Sequence, residues 1–154
     1  MENQALADEV AAAFLEANTI CVLSTLMQDG SPYASVAHFA VDGQAHALYM
    51  SLDIRSQTAQ NLLIDSRAAI TIGHDPAVPA TLQMRGQATI MPSAQLAAAH
   101  GTFYARFPHS CLYRDDPNTR FVYFRPTWSR YADVTSKKEF FMRGFAPQLL
   151  RRVG

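Results

Sequence analysis

The period of the hydrophobic positions changes several times along the chain, and each change marks an element. Leu6, Val10, Ala13, Phe14 and Ala17 recur at helical spacing, with Asp8, Glu9 and Glu16 between them. This spacing predicts an amphipathic helix over 4–18 that lays one face on the rest of the molecule. From Thr19 the texture becomes Ile20-Cys21-Val22-Leu23, then Gln28-Asp29-Gly30-Ser31-Pro32, then Tyr33 to Val41. That reads as strand, turn and strand, with Asp29-Gly30 as the hairpin turn. A second turn at Asp42-Gly43 leads into Ala45 to Ser51. Three consecutive strands on short connections make an antiparallel meander rather than a βαβ unit.

Ser56 to Ile64 carries Ala59, Leu62 and Leu63, with Ser56 placed as an N-cap, so a short helix interrupts the meander directly after the third strand. Strand patterns resume at Arg67 to Gly73 and at Thr81 to Met91, the second alternating Leu82, Met84 and Gly86 against Gln83, Arg85 and Gln87. Gly86 there predicts a bulge or a close backbone approach. Pro92-Ser93 opens a helix whose face Leu96, His100, Phe103, Tyr104 and Phe107 ends before Pro108. Phe121 to Phe124 and Trp128 to Val134 read as closing strands, and the tail from Lys137 is basic and less regular. Six or so short antiparallel strands with helices between them predict a mainly β (α+β) closed or nearly closed small barrel. One domain over 1–154 is expected: helix 4–18, barrel about 19–134, and a basic tail 135–154.

At 154 residues, 49% hydrophobic, the chain is long enough for one sizeable core. Thirteen basic and thirteen acidic side chains cancel, so no global field draws it to nucleic acid or anionic lipid, and any anion site has to be local. Cys21 and Cys111 lie far apart without metal-ligand or disulfide-framework spacing. With an acidic amphipathic start and no window of membrane-spanning length, this points to a soluble, cytoplasmic protein. Phosphate loops, dinucleotide fingerprints, nucleophile elbows and zinc motifs are all missing from the sequence. His38 and His46 fall on adjacent predicted strands that can bring them close to each other, but no carboxylate stands beside them, which argues for packed or solvent-facing imidazoles over a metal site. His100 reads as a core or interface histidine, and His74 and His109 as loop residues.

The segment Leu48 to Leu62 stands out because it ends a strand, bends, and starts a helix with hydroxyls and one guanidinium at the junction. Unpaired N–H groups at a helix start supply donors and partial positive charge, and Arg55, Ser56, Gln57 and Thr58 are placed to add more around the same oxygens. That arrangement suits a phosphate. The plainer alternative is that Ser56 only caps the helix while Arg55 is solvated.

The order of landmarks resembles the pyridoxamine 5'-phosphate oxidase-like, flavin mononucleotide (FMN)-binding split-barrel family. The residues that carry the likeness are Gly30-x-Pro32-Tyr33-x-Ser35, Leu48-Tyr49-Met50-Ser51, Ser56-Gln57-Thr58-x-x-Asn61-Leu62, Arg67-Ala68-Ala69-Ile70, Leu82 to Ala88, and Tyr104-Ala105-Arg106-Phe107-Pro108. The resemblance covers roughly residues 5 to 130 and implies a six-stranded split barrel with flanking helices, working as a homodimer with the flavin at the interface. Carried over by position, the strand around Ser35, Val36, Ala37 and His38 lines the ring, and Ser51 approaches the ribityl chain or phosphate. Arg55, Ser56, Gln57 and Thr58 hold the phosphate, while Thr81, Gln83 and Trp128 come from the partner chain. Trp128 reads equally as a buried anchor of the dimer interface.

This chain departs from the family's oxidase members where they place basic side chains: it has Ser35, Ala40 and Thr58 at those positions, leaving Arg55 as the main charged candidate. Vitamin B6 oxidation is therefore not assigned. The cofactor implied is FMN, with FAD or haem as alternatives and no metal site. The expected function is a flavin-dependent oxidoreductase acting on an unidentified small molecule, with no catalytic residue assigned. Two alternatives stand beside it: a non-catalytic flavin- or haem-binding module, with His38, His46 or His100 facing a haem, and a dimeric scaffold with an empty groove. Lys137, Lys138, Arg143, Arg151 and Arg152 in the tail fit either a cover for a substrate anion or a solvated basic face.

Overall fold

A computed structural model of the chain describes residues 2–43, 46–75, 77–133, 135 and 138–143. Helix α1 spans Glu2–Ala17, followed by strands β1 (Ile20–Leu26), β2 (Pro32–Asp42) and β3 (Ala47–Asp53), helix α2 (Gln57–Ile64), and strands β4 (Arg67–Asp75) and β5 (Val78–Ile90). A short 3-10 turn leads into helix α3 (Leu96–Arg106); a 3-10 helix over Pro108–Tyr113 and strands β6 (Thr119–Asp133) and β7 (Lys138–Arg143) complete the described order. All pairings are antiparallel. The order β3-β2-β1-β4-β5-β6 closes on itself through β3–β6, giving the six-stranded barrel.

Alternation explains the closure. Cys21, Leu23 and Thr25 of β1, Ile70 and Ile72 of β4, and Leu82 and Met84 of β5 all point inward and are buried. All but Thr25 pack with Phe39, Leu48, Met50, Val122 and Phe124 in one core cluster, onto which α1 lays Ala11 and Leu15. Burying each large side chain contributes about 1.5–3 kcal/mol. A second cluster holds α3 against the outside of β2, β3 and β6 through Ala99, Phe103, Tyr104, Ala40, Tyr49 and Phe121. Arg106 at the end of α3 donates from Nη2 to the Glu16 carbonyl at 2.8 Å, which satisfies a backbone acceptor left open at the C-terminus of α1.

Three expectations change. The two predicted closing strands are one continuous β6. Pro126, which has no N–H to give a ladder, sits where the register shifts opposite Arg85 and Gly86, so the strand continues past it. Gly86 makes the close approach expected of it: a Cβ there would overlap the Arg125 carbonyl. The tail is also more regular than predicted, because β7 adds to β6 outside the barrel ring; Phe140, Phe141 and Met142 carry strand propensity amid the flanking charges. Lys137, Arg151 and Arg152 lie outside the described residues. Finally, His38 and His46 do not approach each other. The hairpin pairs Asp42 with Ala47 and Phe39 with Met50, so His46 sits at its tip and His38 beyond its far end.

Candidate functional site

The barrel opens where β2 and β3 part. They pair only over Phe39–Asp42 and Ala47–Met50. Below that point β2 follows β1 from Pro32 to His38, while Ser51–Asp53 stays with β6. The seam this leaves is floored by α2, whose Thr58, Ala59, Asn61 and Leu62 are buried. Asn61 donates to the Thr25 hydroxyl at 3.0 Å, pinning the helix into the barrel mouth. Ser56 is the N-cap, accepting from the Ala59 amide at 3.2 Å, as the sequence predicts.

A groove of about 640 Å³ runs along this seam. Its lining brings together eight residues singled out from the sequence: Ser35, Val36, Ala37 and His38 of β2, Ser51 of β3, and Arg55, Ser56 and Thr58 at the junction into α2. The Ser35 and Thr58 hydroxyls lie 2.8 Å apart and join strand to helix across the groove floor. The His38 ring rests on Phe107, centroids 5.1 Å apart. The first-turn amides of α2 begin at this same end, adding N–H donors without a full charge.

Four candidates fall elsewhere within the chain. Gln57 does not line the groove; its Nε2 donates along α2 to Asn61 Oδ1 at 2.8 Å. Thr81 and Gln83 sit on β5 opposite Ala132 and Arg130, and Gln83 accepts from Arg130 at 3.1 Å. Trp128 lines a separate groove of about 550 Å³ on the outer face of the barrel, with Leu26, Pro32, Ala68 and Ala69 as apolar walls and Arg85 over its ring at 4.8 Å.

Sequence reasoning passed over Asp53, Ser110, Tyr113 and Asp116, all of which line the seam. Asp53 is decisive for the electrostatics. Its carboxylate takes the Arg55 guanidinium side-on, at 2.6 Å from Nη2 and 3.0 Å from Nε, and also accepts the Arg55 amide at 2.7 Å. These hydrogen bonds hold the Asp53 carboxyl down to about 2 and raise Arg55. Arg55 is thus ion-paired, although its side chain stays 71% exposed. The Asp-x-Arg spacing was a readable signal for this turn. Asp116, by contrast, reaches the groove from the loop after the 3-10 helix, which no local pattern ties to α2.

His100 is half-buried against Tyr104 and Phe121, and that burial lowers its pKa, in keeping with a packed histidine at the edge of the second cluster. Among the described residues no His/Cys/Asp/Glu cluster is arranged to hold a metal, and no helix is long and apolar enough to cross a membrane.

Residues 7–133 match the family model described as pyridoxamine 5'-phosphate oxidase. The chain belongs to this family. No curated protein matches it significantly. Among solved structures, a heme binding protein from Mycobacterium smegmatis is similar at TM-score 0.76 and 22% identity, covering 88% of this chain and 58% of that one. Campylobacter jejuni ChuZ matches at TM-score 0.77 and 13% identity, covering 90% and 60%. A Clostridium acetobutylicum protein related to general stress protein 26, of the pyridoxinephosphate oxidase family, matches at 0.68 and 18%, covering 88% and 93%. At these identities the likeness is one of fold. This chain spans little more than half the length of the first two.

The lining can be weighed against the FMN that the resemblance implies. A flat ring and a polyhydroxy chain fit a groove whose lining includes the apolar Val36 and Ala37 and the hydroxyls of Ser35, Ser51, Ser56 and Thr58. The terminal phosphate fits poorly. It carries about −1.5 to −2 charge near neutral pH, and the lining offers one guanidinium already held by Asp53, with Asp116 as a second carboxylate.

Proposed function

We propose that the seam groove binds the ring and hydroxylated chain of a flavin, and that the protein acts as a homodimeric oxidoreductase on a small molecule. The observation that carries this reading is the gathering of four hydroxyl side chains and the start of α2 around an opening made by the parting of β2 and β3. A bound flavin supplies hydride and electron chemistry, which is why no acid–base pair is required of the chain. The chain's own residues orient the ring along β2 and anchor the ribityl oxygens at Ser35, Ser51 and Thr58.

Dimerisation is supported by Ile20, Val22 and Val36, apolar side chains on the outer face of β1 and β2 that are 49%, 42% and 72% exposed. Thr81, Gln83 and Trp128 reach a flavin only from a second copy, which is the role the resemblance gives them. The free cysteines Cys21 and Cys111 fit a cytoplasmic setting.

A second reading, haem in the same groove, is favoured by one observation, the exposed His38 imidazole at its wall, and by the description of the M. smegmatis neighbour. Two propionates would meet Asp53 and Asp116, so flavin is preferred. FAD meets the same objection through its diphosphate. Titrating the full-length protein with riboflavin and, separately, with haemin tests the choice. Quenched flavin fluorescence without a shifted Soret band is the expected result; a sharp Soret shift abolished by His38→Ala would replace flavin with haem.

A further inference from the structure

We infer that the seam groove is matched to a flavin without its phosphate, so that riboflavin binds at least as tightly as FMN. This rests on the flavin reading above. The charges at the α2 end of the groove carry it. Asp53 and Asp116 line that end against Arg55 alone, and Asp53 already occupies the Nε/Nη2 edge of that guanidinium. A helix start contributes about half a positive charge, so the end of the groove retains a net negative sign. A phosphate dianion brought there is repelled, and the hydroxyls around it are neutral donors that recover little of that cost.

The chemistry of the ligand's last group points the same way. A ribityl chain ending in an alcohol both donates and accepts, so it can give a hydrogen bond to either carboxylate. A fully ionised phosphate only accepts, and faces two acceptors. The groove therefore separates the two flavins by hydrogen-bond polarity as well as by charge.

Asp53→Asn is an informative change because asparagine keeps the oxygen that accepts the Arg55 amide at 2.7 Å, so the turn survives while the guanidinium loses its neutralising charge and the acceptor at Nη2. Asp116→Asn likewise keeps the acceptor for the Asn118 amide. Fluorescence-quench titrations of the full chain with riboflavin and FMN are compared for wild type and both variants, with circular dichroism confirming the fold. In the wild type FMN is expected to bind more weakly than riboflavin, by about threefold or more. Asp53→Asn is expected to tighten FMN about tenfold and move riboflavin less than about twofold, reversing the order. Asp116→Asn is expected to act in the same direction.

FMN binding more tightly than riboflavin in the wild type overturns the inference while leaving the flavin reading intact. A ratio unmoved by both substitutions also overturns it. If neither flavin binds, the flavin reading falls and takes the inference with it.

Discussion

The barrel carries two grooves of similar size that differ in what lines them. The seam between β2 and β3, about 640 Å³, is walled by hydroxyls, one imidazole and three charged side chains. The groove beside Trp128, about 550 Å³, lies where the β1–β4 pairing has ended at Ser24 and Ala69 and where β5 and β6 bulge at Gly86, and it combines Leu26, Pro32, Ala68, Ala69 and Trp128 with three hydroxyls and the guanidiniums of Arg67 and Arg85. Both open where strands part, which leaves backbone and side-chain donors for a ligand; what separates them is the sign of their charge, two carboxylates against one guanidinium in the seam and two guanidiniums with no carboxylate lining the groove beside Trp128. The seam arrangement suits a small polar molecule that carries no anion.

Three substitutions sharpen that contrast. Gly86→Ala strikes the wall of the Trp128 groove, where the added methyl overlaps the Arg125 carbonyl. A backbone clash has no side chain to yield, so a loss of about 3 kcal/mol or more in urea unfolding is expected. Tyr123→Phe acts at the point where the ring closes above the seam. There the Tyr123 hydroxyl donates to Asp42 at 2.9 Å and Tyr49 adds a longer bond at 3.4 Å. Burial, then the neighbouring Asp42, raises Tyr123 to about 12. An acid raised on folding stabilises the fold below its ordinary pKa, about 10 for tyrosine, and loses that stabilisation as pH climbs toward its folded value. Stability should therefore fall by about 1–2 kcal/mol over that alkaline range, after allowance for partial solvent screening, and Tyr123→Phe should flatten the fall. Smallest is Thr58→Val at the seam, which deletes the 2.8 Å contact with Ser35. Riboflavin affinity should drop about fivefold, with stability changed by no more than about 1 kcal/mol. A Thr58→Val protein that binds riboflavin normally would move the ligand away from the α2 end.

Much of this was legible in the chain because it is local. The meander, the Ser56 cap and the Gly86 approach each depend on residues close in sequence or on strict alternation, and the eight seam residues follow from one strand and one strand-to-helix junction. What was not legible depends on residues brought together from afar. Pro126 reads as a strand breaker until Gly86 is placed opposite it, and a single bulge lets β6 continue. Asp116 reads as a loop residue until the 3-10 helix carries it to Arg55. Arg55 itself reads as a free cation because only the folded turn shows that Asp53 has taken it side-on. The sequence thus locates the groove, while its charge comes from pairings that no linear pattern ranks.

Amide chemical-shift mapping of the full-length protein with added riboflavin tests the central claim most directly. The largest shifts are expected at residues 33–38, 51–58 and 110–119, the stretches that wall the seam, with the amides of the buried β4 residues Ile70 and Ile72 unmoved. Shifts gathered around Trp128, Ala68 and Leu26 with the seam silent, or no shifts at saturating riboflavin, would contradict it.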